Sequence, residues 1–344
     1  MAEELTEAAA PASTARGRGR GGLLAAVDVG STNCRMTLAR PGRGGGFRPV
    51  QRFSRITRLG QGLETGGSLS ETAMGRSVAA LRRCAQLIDR RGAARVRAVA
   101  TEACRRAING TDFLERVYHE TGLSLEVIPA EEEARLALAG CVGLLDPDCP
   151  RALVFDIGGG SSEIMWVGME GRGRARLLGV QSLPVGVISL TEHFPCVGDY
   201  PQMVDYVSSF LGDIDAAFNV SCAVEKGCVQ MLGTSGTVTT LAGVHLGLQR
   251  YDRQRVDGQV LDFGALDQAV RMLRTMGPNA RRAHPCIGRH RADFVVAGCA
   301  IVDALCGVWP VGRLRVADRG VRDGLLRDLV RPGAVVRDGG EGAA

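Results

Sequence analysis

Two stretches of this chain place a carboxylate beside a glycine turn directly after an apolar strand. In the first, Leu23-Leu24-Ala25-Ala26-Val27 runs into Asp28-Val29-Gly30-Ser31-Thr32; in the second, Ala152-Leu153-Val154-Phe155 runs into Asp156-Ile157-Gly158-Gly159-Gly160-Ser161. A glycine turn lets the backbone approach phosphate oxygens, and the neighbouring carboxylate can hold Mg2+ directly or through water. Each loop opens into another alternating strand, Cys34 to Leu38 and Glu163 to Val167, whereas a dinucleotide-binding glycine loop opens into a helix. A pair of purely structural hairpin turns is the competing reading. Superposing Asp28 on Asp156 aligns the flanking strands too, so the spacing predicts duplicated lobes, each presenting a hairpin tip to a shared cleft. Glu163, across the second hairpin from Asp156, is a candidate second metal carboxylate.

Two further stretches carry chemistry. Glu131-Glu132-Glu133 opens a predicted helix from Pro129 to Leu145, at the place where two lobes would hinge. Acidic residues complement the helix dipole in a first turn, but crowded acids also raise one another's pKa, which suits a general base working near neutrality. Gly233-Thr234-Ser235-Gly236-Thr237 runs from a strand into a helix, so its turn offers NH groups as an anion or nucleotide seat.

The elements that must position these residues alternate between strand and helix, which predicts α/β lobes. Leu69 to Ile88 repeats apolar residues at helical spacing, with Ser68 and Glu71 in capping-box register. The short run Arg95 to Thr101 follows Gly92 and reads as a strand. The expected organisation is a disordered Ala/Arg/Gly tail over 1–21, a first lobe over 22–143, a second lobe over 144–331 whose last helix can pack back on the first, and a flexible tail over 332–344.

Composition narrows the chemistry. Of the 42 basic residues all but Lys226 are arginine, and Lys226 does not sit in a P-loop motif, so any phosphate clamp must be built from arginine, backbone NH groups and metal. A net charge of +5 with 4% aromatics, without a compact basic tract, points to a small polyanionic substrate and away from nucleic acid. The eleven scattered cysteines define neither a zinc site nor a disulfide framework. With no long apolar run and no signal-peptide core, a cytoplasmic location without membrane attachment is expected.

The chain resembles the exopolyphosphatase / guanosine pentaphosphate phosphohydrolase (Ppx/GppA) family. The resemblance rests on Asp28 to Ser31 with Arg35, Ala98 to Ala107, Val127 to Arg135, Phe155 to Glu163, Leu183 to Val187, Gly233 to Thr237, Arg291 to Gly298 and Asp318 to Gly324, in that order. It implies the two-lobed, ribonuclease-H-like actin superfold with a central cleft. Glu133 would activate water, and Asp156 and Glu163 would hold Mg2+, with Mn2+ as the alternative ion. Gly30, Ser31 and Gly158, Gly159, Gly160 and Ser161 would cradle phosphates, and Arg35, Arg105 and Arg291 would neutralise the chain, with Arg289 a near neighbour of the last. Asp28, Gly233, Thr234 and Ser235 are supplementary candidates. The substrate implied is polyphosphate or guanosine pentaphosphate, and the assembly a homodimer.

Longer relatives carry an additional helical domain after the second lobe, and Pro129-Ala130 stands where the family usually has Ser-Gly. A sugar or carboxylate kinase of the same superfold and a non-catalytic nucleotide-binding regulator are the alternatives. The kinase would want a sugar-binding loop with a catalytic aspartate, and the regulator has no need of Glu133.

Overall fold

Both Asp-x-Gly stretches fold as strand, turn and strand, and the copies agree down to the turn hydrogen bond. The Gly30 amide donates to the Asn33 carbonyl at 2.9 Å, and the Gly158 amide donates to the Ser161 carbonyl at 2.9 Å. The computed structural model describes residues 22–331, apart from 43, 44 and 172, together with the backbone of 336–338. The expected disordered tail over 1–21 lies outside the described residues.

The first sheet contains β1 (Leu23–Val29), β2 (Asn33–Pro41), β3 (Phe47–Ile56), β4 (Ala93–Ala100) and β5 (Glu126–Val127), in the order β3-β2-β1-β4-β5. The second contains β6 (Arg151–Ile157), β7 (Ser162–Met169), β8 (Ala175–Leu183), β9 (Val229–Thr234), β10 (Val260–Asp262), β11 (Arg313–Ala317) and β12 (Val336–Asp338), in the order β10-β11-β9-β6-β7-β8-β12. Its central run β8-β7-β6-β9-β11 repeats the first sheet strand for strand. In each, an antiparallel three-strand meander continues into parallel strands. This duplicated topology gives the two α/β lobes expected from the repeat, in the two-lobed form that the resemblance to an actin-like superfold implies. Of the tail expected to be flexible over 332–344, residues 336–338 instead pair as β12 with the otherwise open edge of β8, satisfying backbone groups there, and the rest of it lies outside the described residues.

Two helices seal the junction between the sheets. Ala130–Cys141 and Val321–Val330 cross so closely that a Cβ on Gly324 would overlap the Leu136 carbonyl, and one on Gly140 would overlap the Gly320 carbonyl. Their apolar faces share one core with Leu24, Ala26 and Val99 of the first sheet and Val154, Met165 and Val167 of the second. Helix Val321–Val330 also meets the first lobe through Arg95, which donates to the Leu329 carbonyl.

The helix predicted from Leu69 spans Glu71–Arg91, and its cap is Ser70, whose Oγ accepts from the Ala73 amide, rather than Ser68. Asn109 explains the shift: its side chain accepts from the Leu69 amide and donates to the Leu69 carbonyl, holding that residue outside the helix. The helix predicted to Leu145 ends at Cys141 and tightens into a 3-10 turn over Val142–Leu144.

Candidate active site

The two glycine turns meet tip to tip. A Cβ on Gly159 would lie 2.9 Å from the Ser31 Cβ and would overlap Thr32, so only glycine allows the approach. The Gly158 and Gly159 carbonyls turn away to accept the amides of Val187 and Ile188, at 3.0 and 2.7 Å. This anchors the second loop on the helix Val187–His193. The first loop is braced by Ser31, whose Oγ donates to Glu102 at 2.6 Å; Arg106 holds the other Glu102 oxygen at 2.9 Å. Beside the contact, Thr32 Oγ1 and Asn33 Oδ1 are buried without a protein partner, which is how groups reserved for a ligand look.

A cleft of about 900 Å³ opens beneath these tips, lined by Asp28, Ser31, Arg35, Glu133, Asp156 and Arg291 among others. Helical geometry sorts the acidic run. Glu131 is exposed, Glu132 turns sideways to bind Arg135 at 2.6 Å and Arg97 at 3.0 Å, and Glu133 points into the cleft, where Arg105 donates to it at 2.9 Å. Neighbouring glutamates consequently shift in opposite directions. Burial acts to raise the Glu132 pKa, but its bonds to Arg135 and Arg97 outweigh it and the pKa falls. Burial pushes the Glu133 pKa up to about 8, helped by the Glu163 charge and opposed by Arg105.

Asp156 and Glu163 are cross-strand partners in the β6–β7 register. Burial pushes Asp156 up to about 7, with the Glu133 charge adding and Arg35 opposing. Burial likewise takes Glu163 to about 7, with the Asp156 charge adding, although its Oε1 accepts from Ser161 at 2.7 Å and Ser182 at 3.1 Å. Asp28 is raised by burial against the opposing charges of Arg35 and Arg322. Several buried carboxylates raise one another's pKa here, a charge conflict that a bound cation relieves. No compact cluster of three or more His, Cys, Asp or Glu ligands occurs among the described residues. That donor set fits Mg2+, which keeps several waters and takes one or two carboxylates plus substrate phosphates.

The remaining predicted residues divide. Arg291 lines the cleft while Arg289 is exposed to solvent, which separates the two neighbours. Arg105 is already committed through Nη1 to Glu133 and to the Ile128 carbonyl, at 2.9 and 2.8 Å. Gly160 packs against Glu102. Gly233 is a packing residue, with room only for hydrogen beside the Phe155 ring. Ser235 caps helix Gly236–His245 by accepting the Thr237 and Val238 amides at 3.1 and 3.2 Å, so two NH groups of the predicted anion seat are already occupied. Its backbone, at φ 154 and ψ 174, lies in a region almost reserved for glycine, a strained conformation of the kind that gathers at functional sites. Thr234 donates to the Arg319 carbonyl.

Sequence reasoning missed Glu102, which braces the first loop through Ser31, and Arg322, whose charge opposes the shift of Asp28. Both lie inside the stretches that carry the family resemblance, and a carboxylate four residues before Arg106 was the available signal for Glu102.

No helix among the described residues is long and apolar enough to cross a membrane. The family model for the Ppx/GppA phosphatase family matches residues 38–332. Exopolyphosphatase 2 of Mycobacterium tuberculosis is 29% identical over 323 residues, covering 89% of this chain and 98% of that protein. Guanosine-5'-triphosphate,3'-diphosphate pyrophosphatase of Photobacterium profundum is 33% identical over 229 residues, covering 65% of this chain and 44% of that longer protein. The crystal structure of the Aquifex aeolicus Ppx/GppA family member superposes with a TM-score of 0.70 at 30% identity, over 90% of this chain and 98% of that one. With a match across both lobes and a cleft built from both glycine turns, this chain belongs to the Ppx/GppA phosphatase family and is a phosphohydrolase.

Proposed function

We propose that this enzyme releases the terminal phosphate of polyphosphate or of guanosine pentaphosphate by attack of a water that Glu133 deprotonates. The water oxygen bonds to the terminal phosphorus and the anhydride oxygen leaves with the shortened chain. The water proton passes to the Glu133 carboxylate. The observation that carries this reading is Glu133 itself: a buried carboxylate aimed into a cleft between two glycine turns, oriented by Arg105 and with its pKa pushed up to about 8. A base poised near the working pH accepts a proton most effectively.

The glycine turns orient the terminal phosphoryl group, Arg35 and Arg291 offset its charge, and the closed tips exclude bulk water. Asp156 and Glu163 would hold Mg2+, or Mn2+ in its place. When bound, the ion would neutralise charge on the phosphate oxygens.

Hydrolysis in 18O-labelled water with tripolyphosphate and with guanosine pentaphosphate tests this directly. The expected result is a single labelled oxygen in the released orthophosphate and none in the shortened chain. Label in the shortened chain, or phosphate passed to an added alcohol acceptor instead of water, contradicts the hydrolase and supports a transferase.

A further inference from the structure

A cavity of about 610 Å³ that shares no lining residue with the reaction cleft lies between the short helix Leu63–Gly66 of the first lobe and the helices Val187–His193 and Tyr200–Ser208 of the second. Glutamates supply its formal charges, and no Lys or Arg lines it. Glu64 is already paired, with Arg106 donating to its two oxygens at 2.6 and 3.2 Å. Glu192 is only half satisfied. Its Oε1 accepts the Gly62 amide of the other lobe at 2.9 Å, while its Oε2 is buried and has no hydrogen-bond partner among the described residues. An enclosed carboxylate oxygen without a donor costs free energy that a bound cation recovers.

The rest of the wall indicates what kind of cation fits. Val185 and Leu190 are each 1% exposed and give it an apolar side, and the Tyr206 ring is stacked on His193 with centroids 4.8 Å apart. An aromatic ring beside a carboxylate suits an ammonium group, and the apolar side suits an aliphatic stem. The same walls support both glycine turns. Ser189 donates to the Gly160 carbonyl at 3.2 Å, and Glu64 is linked to Ser31 through Arg106 and Glu102.

We propose that this cavity is an effector site for a small aliphatic amine in its ammonium form, held by Glu192 with its stem against Val185 and Leu190. Occupancy fixes the Glu192 carboxylate where it accepts the Gly62 amide, which favours the joined lobes and lowers KM for the anionic substrate. The effect on KM rests on the hydrolytic reading above, whereas the binding itself does not.

Binding is tested by calorimetric titration of 1,4-diaminobutane in excess Mg2+ and without any phosphate compound, for native protein, Glu192→Gln and Tyr206→Leu, with 1,4-butanediol as the uncharged probe. Gln keeps an acceptor for the Gly62 amide, and thermal melts of both variants establish that they fold. Native protein is expected to bind the diamine saturably and the diol not at all, with affinity falling about tenfold or more in Glu192→Gln and several-fold in Tyr206→Leu. Absence of saturable binding, equal affinity in Glu192→Gln, or equal binding of the diol overturns the site. The coupling is read from KM for tripolyphosphate with and without the diamine, in native protein and Glu192→Gln; complexation of substrate by amine is common to both, so only their difference counts. A several-fold fall in native protein alone supports the coupling, and the same change in both overturns it. Native protein that releases no phosphate overturns the hydrolytic reading and leaves the calorimetric result standing.

Discussion

Asp156 stands directly opposite Glu163 across β6–β7, in the same register that puts Asp28 opposite Arg35 across β1–β2. The duplicated hairpin therefore carries two carboxylates in one lobe and a carboxylate with a guanidinium in the other. Opposed like charges repel, so the second-lobe pair calls for a cation or a proton, while in the first lobe the Arg35 charge opposes the upward shift that burial gives Asp28, and Arg35 lines the cleft.

Replacing Glu163 by Gln keeps the shape and removes one charge of that pair. The Mg2+ concentration giving half-maximal phosphate release is expected to rise by roughly 10–100-fold or more. A metal titration of activity checks this, and an unchanged midpoint would remove Glu163 from the ion's surroundings.

The same crowding predicts how the metal-free protein responds to pH. Asp156 and Glu163 have folded-state pKa values near 7 and Glu133 near 8, all above the ordinary 3.8 and 4.5. A raised folded pKa means that the contribution to stability is fully present below the unfolded value and is lost as pH rises through the folded one. Thermal unfolding in a chelator should therefore show the melting temperature falling from about pH 5 to about pH 8.5, with Mg2+ recovering most of the loss. An equal decline in Asp156→Asn would assign the effect to other groups.

The hairpins, their duplication and the hinge position of the acidic run were legible because they depend on local patterning: apolar alternation, glycine, and a carboxylate at a strand end. Which glutamate enters the cleft was not legible from spacing alone. It depends on the rotation of helix Ala130–Cys141, on Arg97 and Arg105, which come from elsewhere in the chain, and on Arg135, one turn after Glu132 on the same face of the helix. The role of Glu102 was hidden for a related reason, since it meets Ser31 of the first loop only when distant segments are brought together. Gly233 misled because a packing glycine and a phosphate-loop glycine look alike in a sequence.

Arg58 reaches across the cleft mouth to Asp293 at 2.9 Å and to the His290 carbonyl at 3.1 Å, with its guanidinium 4.6 Å from the centre of the Phe294 ring. Its backbone is in the left-handed region at φ 50. Arg76 steadies it there by donating to the carbonyls of Thr57 and Arg58. As both charged groups are partly exposed, Arg58→Ala is expected to cost no more than ~1 kcal/mol in urea unfolding. Weaker closure of the lobes should nevertheless lower kcat/KM several-fold, and unaltered kinetics would reduce the contact to a surface ion pair.

Gly324→Ala would press a methyl group into the Leu136 carbonyl at the helix crossing that joins the lobes. Backbone cannot yield as a flexible side chain does, so a loss of ~1–3 kcal/mol in urea unfolding is expected. Native-like stability would mean that the two helices separate readily.

The most direct test of the account compares Mg2+-dependent phosphate release from tripolyphosphate and guanosine pentaphosphate by native protein and Glu133→Gln. Gln keeps the size and the contact with Arg105 but cannot accept the proton, so kcat should fall by about 10²–10⁴-fold with KM little changed. Native protein that releases no phosphate, or a Gln variant that keeps its rate, would contradict the assignment of Glu133 as the base of a phosphohydrolase.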